Sequence, residues 1–292
     1  PEKGEYLTDR LGVEASKFIE ANQDKPFFLY LTHYTVHTPI QAKEALTAKY
    51  EKKATVGGHT NAKYAAMIES MDDSIGAVQA TLKRLKLDEN TIVIFFSDNG
   101  GHGAVTSNAP LRGSKGMLYE GGIREPLVIK WPGVTQAGST CREPVIGVDF
   151  YPTLMEAANV KRRKAAQLDG LSLMPLLKDA SASLDRSALF WHFPACRQGY
   201  TPRHGAFRTT PAGAVRMGDW KLIEYFEDGA LELYDLKNDL GEKTNLAELE
   251  SGKVKELHAA MLKWRKETKA PVPTEKNPGY DPKAVFQAPK RK

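Results

Sequence analysis

The chain has 292 residues, 41% of them apolar, enough to bury one large domain and a smaller companion. Its formal charge of +5 comes from mixed charges spread along the chain, apart from the basic end Lys290-Arg291-Lys292. No basic run carries aromatics in register, so nucleic-acid binding is unsupported. No apolar stretch approaches the length of a membrane span.

Taken in chain order, Thr8 to Asn22 reads as a helix, with Thr8 in the cap position and Leu11, Ala15, Phe18 and Ile19 on one face. Pro26-Phe27-Phe28-Leu29-Tyr30-Leu31-Thr32 reads as a buried strand, followed by a polar loop with His33, His37 and Pro39. From Asn61 to Lys86, Tyr64, Met67, Ile68, Met71, Ile75, Val78, Leu82 and Leu85 recur at helical spacing, a core stripe. Thr91 to Phe96 is a run of β-branched and aromatic residues without polar alternation, the pattern of a strand buried on both faces. A glycine-rich loop, Gly100 to Gly122, leads to a strand over Pro126 to Trp131. Asp149 to Ala158 reads as a helix with Pro152 in its first turn.

Such alternation of strand and helix predicts an α/β fold. Three core strands make a thin sheet, and the chain starts at Pro1 rather than at a methionine. Both point to further strands upstream. Beyond Lys161–Ala166 the pattern changes to short strands at Leu189–Phe193, Ala214–Arg216, Trp220–Tyr225 and Leu231–Tyr234. The turns between them include Gly218-Asp219 and Asp228-Gly229. A helix over Lys253 to Lys266 presents Val254, Leu257, Met261 and Trp264, and a Pro- and Lys-rich extended tail follows from Pro271. The expected division is a catalytic portion over 1–180, a small α+β subdomain over 181–270 and a tail over 271–292.

Three polar clusters fall in loops after predicted strands: His33/His37, Asp98/Asn99/His102 and Arg112/Lys115/Arg124. Ser97-Asp98-Asn99-Gly100 ends a buried strand with two hard oxygen donors suited to Ca²⁺ or Mg²⁺, where α/β sheets bind ligands. A plain Asx-Gly turn is the alternative. Lys115, between Gly113 and Gly116, is a solvated cation or an anion contact. Arg112 and Arg124 read as loop pins, with Glu120 as a partner. If neighbouring parallel strands bring these loops to one sheet edge, they combine metal ligands, cations and imidazoles. That set suits hydrolysis of a sulfate or phosphate ester.

The motifs Phe27-Phe28-Leu29-Tyr30, Val36-His37-Thr38-Pro39 and Phe96-Ser97-Asp98-Asn99-Gly100-Gly101 resemble type I sulfatases of the alkaline phosphatase superfamily. So do Asn108-Ala109-Pro110-Leu111-Arg112-Gly113-Ser114-Lys115-Gly116, Tyr119 to Pro126 and Trp131-Pro132-Gly133. Asp149 to Leu154, Asp169-Gly170, Gly218 to Leu222 and Glu232 to Leu236 continue the likeness in the family's order. The resemblance implies a partial sulfatase-like α/β sandwich with a small C-terminal antiparallel sheet plus helix. It makes Asp98 and Asn99 ligands of a cation, Ca²⁺ with Mg²⁺ as the alternative. Lys115 and His37 would be catalytic and touch the sulfate, and His37 or Lys115 would protonate the leaving alcohol. His102 and His192 would line the substrate site. Ala195 stands where similar bacterial sulfatases often carry a second histidine.

The resemblance implies a formylglycine nucleophile made within Cys/Ser-x-Pro-x-Arg, and covalent catalysis that splits one hard step into two. No such segment occurs in this chain: Cys141-Arg142-Glu143-Pro144 and Ser107 to Arg112 both misplace the proline. The family's Asp-Asp metal ligands are also absent. The chain is therefore expected to be the C-terminal part of a sulfatase, lacking its N-terminal nucleophile region and inactive alone. Two ligands in place of an oxygen shell of about six imply weak metal binding, and an open sheet edge implies aggregation. The expected substrate is a sulfated glycan or aryl sulfate, and the expected location periplasmic or secreted. The alternatives are a phosphoric-ester or phosphonate hydrolase and a non-catalytic binder of sulfated glycans. The oligomeric state and the pairing of Cys141 and Cys196 stay open.

Overall fold

The structure, a computed structural model, describes residues 4–161, 168–195 and 211–275. Its first elements are helices α1 (Leu7–Ala21), α2 (Glu44–Glu51) and α3 (Ala62–Arg84) and strand β1 (Val93–Phe96). The one-turn helix α4 (Glu120–Ile123), strand β2 (Leu127–Lys130) and helices α5 (Phe150–Ala157) and α6 (Met174–Lys178) follow. Strands β3 (Leu189–Phe193), β4 (Ala212–Met217), β5 (Trp220–Tyr225) and β6 (Leu231–Asp235) precede helix α7 (Ser251–Thr268). The chain divides into two compact units, Pro1–Ile94 with Ile129–Thr135, and Phe95–Val128 with Gln136–Lys292.

In the first unit α1 and α2 pack on α3. Buried Gly12, Ala15 and Ile19 recur along one face of α1 as a 3.6-residue period requires. A Cβ at Gly12 would lie 2.5 Å from Ser74 Oγ, so the missing side chain lets the two helices touch. Asn61 caps α3 by accepting from Tyr64 N–H at 3.0 Å. At α1, by contrast, Tyr6 holds the cap position without a side-chain bond, and Thr8 is buried inside the helix.

The segment Pro26–Thr32 is not the buried strand its composition predicts. It carries no strand ladder, and Phe28 and Tyr30 are 71% and 79% exposed. A strand exists only through its partners' hydrogen bonds, and among the described residues none supplies them. β1 and β2 do pair with each other. Both are shorter than predicted, and Phe96 is exposed. The helices α2 and α6 have too little periodicity to be read from sequence.

The second unit is built on an antiparallel meander, β3-β4-β5-β6. Met217 pairs with Trp220, so Gly218-Asp219 is a two-residue hairpin turn, with Gly218 at φ 60°. Strand alternation sends Val215, Leu222 and Leu233 to one face, where Leu257 and Met261 of α7 cover them. The opposite face presents Ala212, Ala214, Ile223, Tyr225 and Tyr234, and Met117 and Tyr119 of the glycine-rich loop cover that. The sheet is thus buried on both sides.

Asp149, fully buried, accepts from Ile146 N–H and Leu171 N–H, both at 2.9 Å, and pairs with Arg186. It joins the start of α5 to the Asp169-Gly170 turn. A Cβ at Gly170 would meet Val148 O at 2.1 Å, which leaves only glycine there. Cys141 is an exposed free thiol. Most of the stretch Lys161–Ala166, Cys196, and the tail beyond 275 lie outside the described residues.

Candidate active site

At the end of β1, Ser97 N–H donates to Pro126 O at 3.4 Å, and Ser97 Oγ donates to Asn99 O at 3.2 Å. Asn99 Nδ2 donates to Gly100 O at 3.2 Å, so Oδ1 is the acceptor atom of the carboxamide. Asp98 is exposed. Gly100 N–H donates to Gly122 O at 3.1 Å, and a Cβ on Gly100 would fall 1.9 Å from Gly121 O. The Asp98–Asn99 loop therefore rests directly on α4. Beside it, burial pushes the Glu125 carboxyl up to about 7, with the Ser97 hydroxyl opposing and the Asp98 charge adding to the rise.

The Lys115 loop lies against the same backbone. Lys115 N–H donates to Gly101 O at 3.2 Å, and Gly113 and Gly116 on either side take φ of 81° and 89°. Gly121 N–H donates to Arg112 O at 2.7 Å, so α4 touches the start of this loop as well. Asp98, Asn99, His102 and Lys115 all belong to the second unit, on loops joined through Gly101.

Behind both loops runs a buried polar network. Arg112 stacks on the Tyr119 ring, 4.1 Å from its centroid, and donates to Tyr234 Oη and Glu242 O, each at 2.9 Å. Arg112 pins the loop as predicted, but through partners far along the chain rather than Glu120. Arg124 is the one that pairs with Glu120, at 3.2 Å. Lys221 Nζ lies 3.0 Å from Glu120 Oε1 and 2.8 Å from Glu242 Oε1. Glu120 N–H donates to Glu242 Oε2 at 2.6 Å. Tyr119 and Tyr234 both donate to Glu232 Oε2, at 2.7 and 2.8 Å, and Tyr225 donates to Tyr119 Oη at 2.8 Å.

Burial raises the Glu120 carboxyl, but Lys221 and then Arg124 outweigh it and hold the group below its ordinary value. Glu242 is pushed up: burial outweighs Lys221 and the Glu120 N–H, and the Glu120 charge adds to the rise. Burial also raises the phenols of Tyr119, Tyr225 and Tyr234 far above neutrality, so they act as neutral donors. Sequence reasoning missed Lys221, Glu232 and Glu242. The only signal was their place in short strands or turns beside Trp220, Tyr234 and Leu246.

The other two predicted site histidines are carried by other segments. His37 belongs to the first unit, where its Nδ1 donates to Thr38 O at 2.8 Å and its ring tilts against Tyr34. That bond places the proton on Nδ1 and leaves Nε2 as the acceptor of the neutral ring. His192, on β3, donates from Nε2 to Pro271 O at 2.7 Å and packs against Phe226 and Trp264.

A family model described as sulfatase matches residues 1–160, more than half of the chain. The chain belongs to the sulfatase family. A second model, for the C-terminal part of N-sulphoglucosamine sulphohydrolase, matches residues 114–269 of this sulfatase chain. A sulfatase of Formosa agariphila is 41% identical over 82% of the chain and 46% of its own length. Human steryl-sulfatase is 35% identical over 65% of the chain and 33% of its own length. The crystal structure of Ps i-CgsB in complex with a neocarrahexaose superposes with a TM-score of 0.76 at 29% identity, over 89% of this chain and 55% of that one. The sulfatase chain spans about half the length, or less, of the curated relatives it matches.

Sulfatases imply a divalent cation, and the donor set can be tested against one. The carboxylate of Asp98 and the carbonyl oxygen of Asn99 are hard donors of the kind Ca²⁺ and Mg²⁺ take. Among the described residues, no cluster of three or more His, Cys, Asp and Glu side chains forms a cage. The fit is one of donor chemistry, at two side chains.

Proposed function

We propose that this sulfatase chain serves hydrolysis of sulfuric esters, with a sulfated glycan or an aryl sulfate as substrate. The observation that carries the reading is the bond from Lys115 N–H to Gly101 O, which sets a cationic loop beside the Asp98–Asn99 pair. Asp98 and Asn99 would hold the cation, Ca²⁺ with Mg²⁺ as the alternative. A cation bound there supplies charge stabilisation to sulfate oxygens. Lys115 binds the sulfate and neutralises charge on the bridging oxygen as the ester bond lengthens. His37, protonated, donates to the departing alcohol. His102 and His192 contact the substrate beyond the sulfate.

No residue of this chain fits the formylglycine motif. The roles of its own side chains therefore end at binding, charge stabilisation and proton transfer. The carbohydrate-bound relative supports a glycan substrate, and a glycan-acting enzyme would work in the periplasm or outside the cell.

The test is inorganic sulfate release from an aryl sulfate and from sulfated oligosaccharides by the full product of the gene that encodes this chain. We expect release, and a loss of about a hundredfold in turnover on Lys115→Ala, the usual effect of removing one charge-stabilising donor. Preferential release of phosphate from an aryl phosphate would select phosphatase chemistry instead. Saturable binding of sulfated sugars without release would select a binder.

A further inference from the structure

We propose that Asn108 is a positioning residue whose carboxamide locks the Asp98–Asn99 loop to the Lys115 loop; the inference rests on the sulfatase reading of those loops. Asn108 Oδ1 accepts from Gly101 N–H at 3.1 Å, while its Nδ2 donates to Gly101 O at 3.1 Å and to Gly113 O at 3.2 Å. Gly101 O is the same atom that accepts from Lys115 N–H.

The carboxamide thus exchanges two bonds with one residue, as a strand neighbour's backbone would, and spends its second N–H on the opposite loop. Neither loop has a regular ladder, so this side chain stands in for one. Both donors and one acceptor are engaged, which leaves Asn108 no free N–H for a substrate. A Cβ on Gly101 would lie 2.8 Å from Asn108 Oδ1 and 2.6 Å from Thr106 Cγ2, so glycine at 101 is part of the device. Leu111 N–H donates to Asn108 O at 2.9 Å, holding the residue within its own turn.

Asparagine is the residue the geometry requires. Aspartate has the same shape but no donors, and would set a carboxylate against two carbonyl oxygens. Alanine takes the carboxamide partner from Gly101 N–H and Gly113 O, and leaves Gly101 O with Lys115 N–H alone. The sulfatase reading needs Lys115 at a set distance from the Asp98–Asn99 pair, and release of the lock would let the charge drift from the position where it stabilises a sulfate.

The test compares the full product of the gene that encodes this chain with its Asn108→Ala and Asn108→Asp variants. Amide hydrogen exchange at Gly101 and Lys115 should accelerate by about tenfold or more in both variants. Exchange at Leu222 and Leu233, in the central strands, should stay unchanged. A merely structural residue would move all four together. Titration with sodium sulfate, with and without CaCl₂, gives the second readout. In the unmodified chain calcium should tighten sulfate binding, and Asn108→Ala should abolish that coupling. Unchanged exchange at Lys115, equal loss at Leu222 and Leu233, or coupling that survives Asn108→Ala would each overturn the lock. Coupling already absent from the unmodified chain would count against the sulfatase reading, while selective exchange at Lys115 would still support the lock.

Discussion

Lys221 Nζ sits 2.8 Å from Glu242 Oε1 with both side chains fully buried, and Glu120 completes the group at 3.0 Å. Glu120 is the first residue of α4, whose glycines receive Gly100 N–H and bond Arg112 O. A lysine on β5 therefore holds the helical turn on which both halves of the candidate site rest. One cation between two carboxylates is not neutral by itself, and Arg124 supplies the second positive charge from the surface side of Glu120.

Removing that cation leaves two carboxylates buried together. We expect Lys221→Met to destabilise the protein by about 3–5 kcal/mol, the usual cost of breaking a buried ion pair from one side. The triple variant Lys221→Met, Glu120→Gln, Glu242→Gln should recover more than half of that loss, since no buried charge is left uncompensated. Urea unfolding of the three proteins at neutral pH decides this. A fully stable Lys221→Met would show that water reaches the group.

The two carboxylates should also mark the pH profile with opposite signs. The Glu120 carboxyl is held below 4.5, so its contribution is present above that pH and is lost as pH falls through its folded value. Glu242 is pushed above 4.5, so its contribution is present at low pH and is lost as pH rises through its folded value. Glu242→Gln should therefore flatten the decline on the higher-pH side, and Glu120→Gln the decline on the acid side. Unfolding midpoints across an acid-to-neutral series would reveal either slope, and unchanged slopes would contradict the assignment.

Arg112→Lys should not behave as a conservative change. The guanidinium stacks on Tyr119 while one of its nitrogens reaches both Tyr234 Oη and Glu242 O, and an ammonium cannot stack as a plane. We expect a loss of about 1–3 kcal/mol, with Tyr119 more exposed to solvent. Tyrosine fluorescence quenching alongside thermal unfolding checks both. Equal stability and equal quenching would mean that the stack contributes little.

Much of this molecule follows from its linear order. The long α3 is visible because one apolar stripe persists at helical period over its length. The C-terminal strands and α7 are visible because turn residues bracket short apolar runs. The Ser97-Asp98-Asn99-Gly100 and Gly113 to Gly116 motifs mark the candidate site loops, but by residue type alone an Asx-Gly turn and a solvated lysine read the same way.

Other features were decided only by what packs against what. Pro26–Thr32 has the composition of a buried strand, but strand character belongs to a pair, not to a segment. Lys221 and Glu232 alternate with apolar neighbours, as solvent-facing positions do. They are buried because Met117 and Tyr119 cover that face of the sheet. Asn108 carries no role in the sequence beyond opening a motif, and only the meeting of Gly101 and Gly113 turns its amide into a clamp. Local order encodes period and residue chemistry; burial and hydrogen-bond partners depend on contacts between residues far apart in the chain, which no window along it contains.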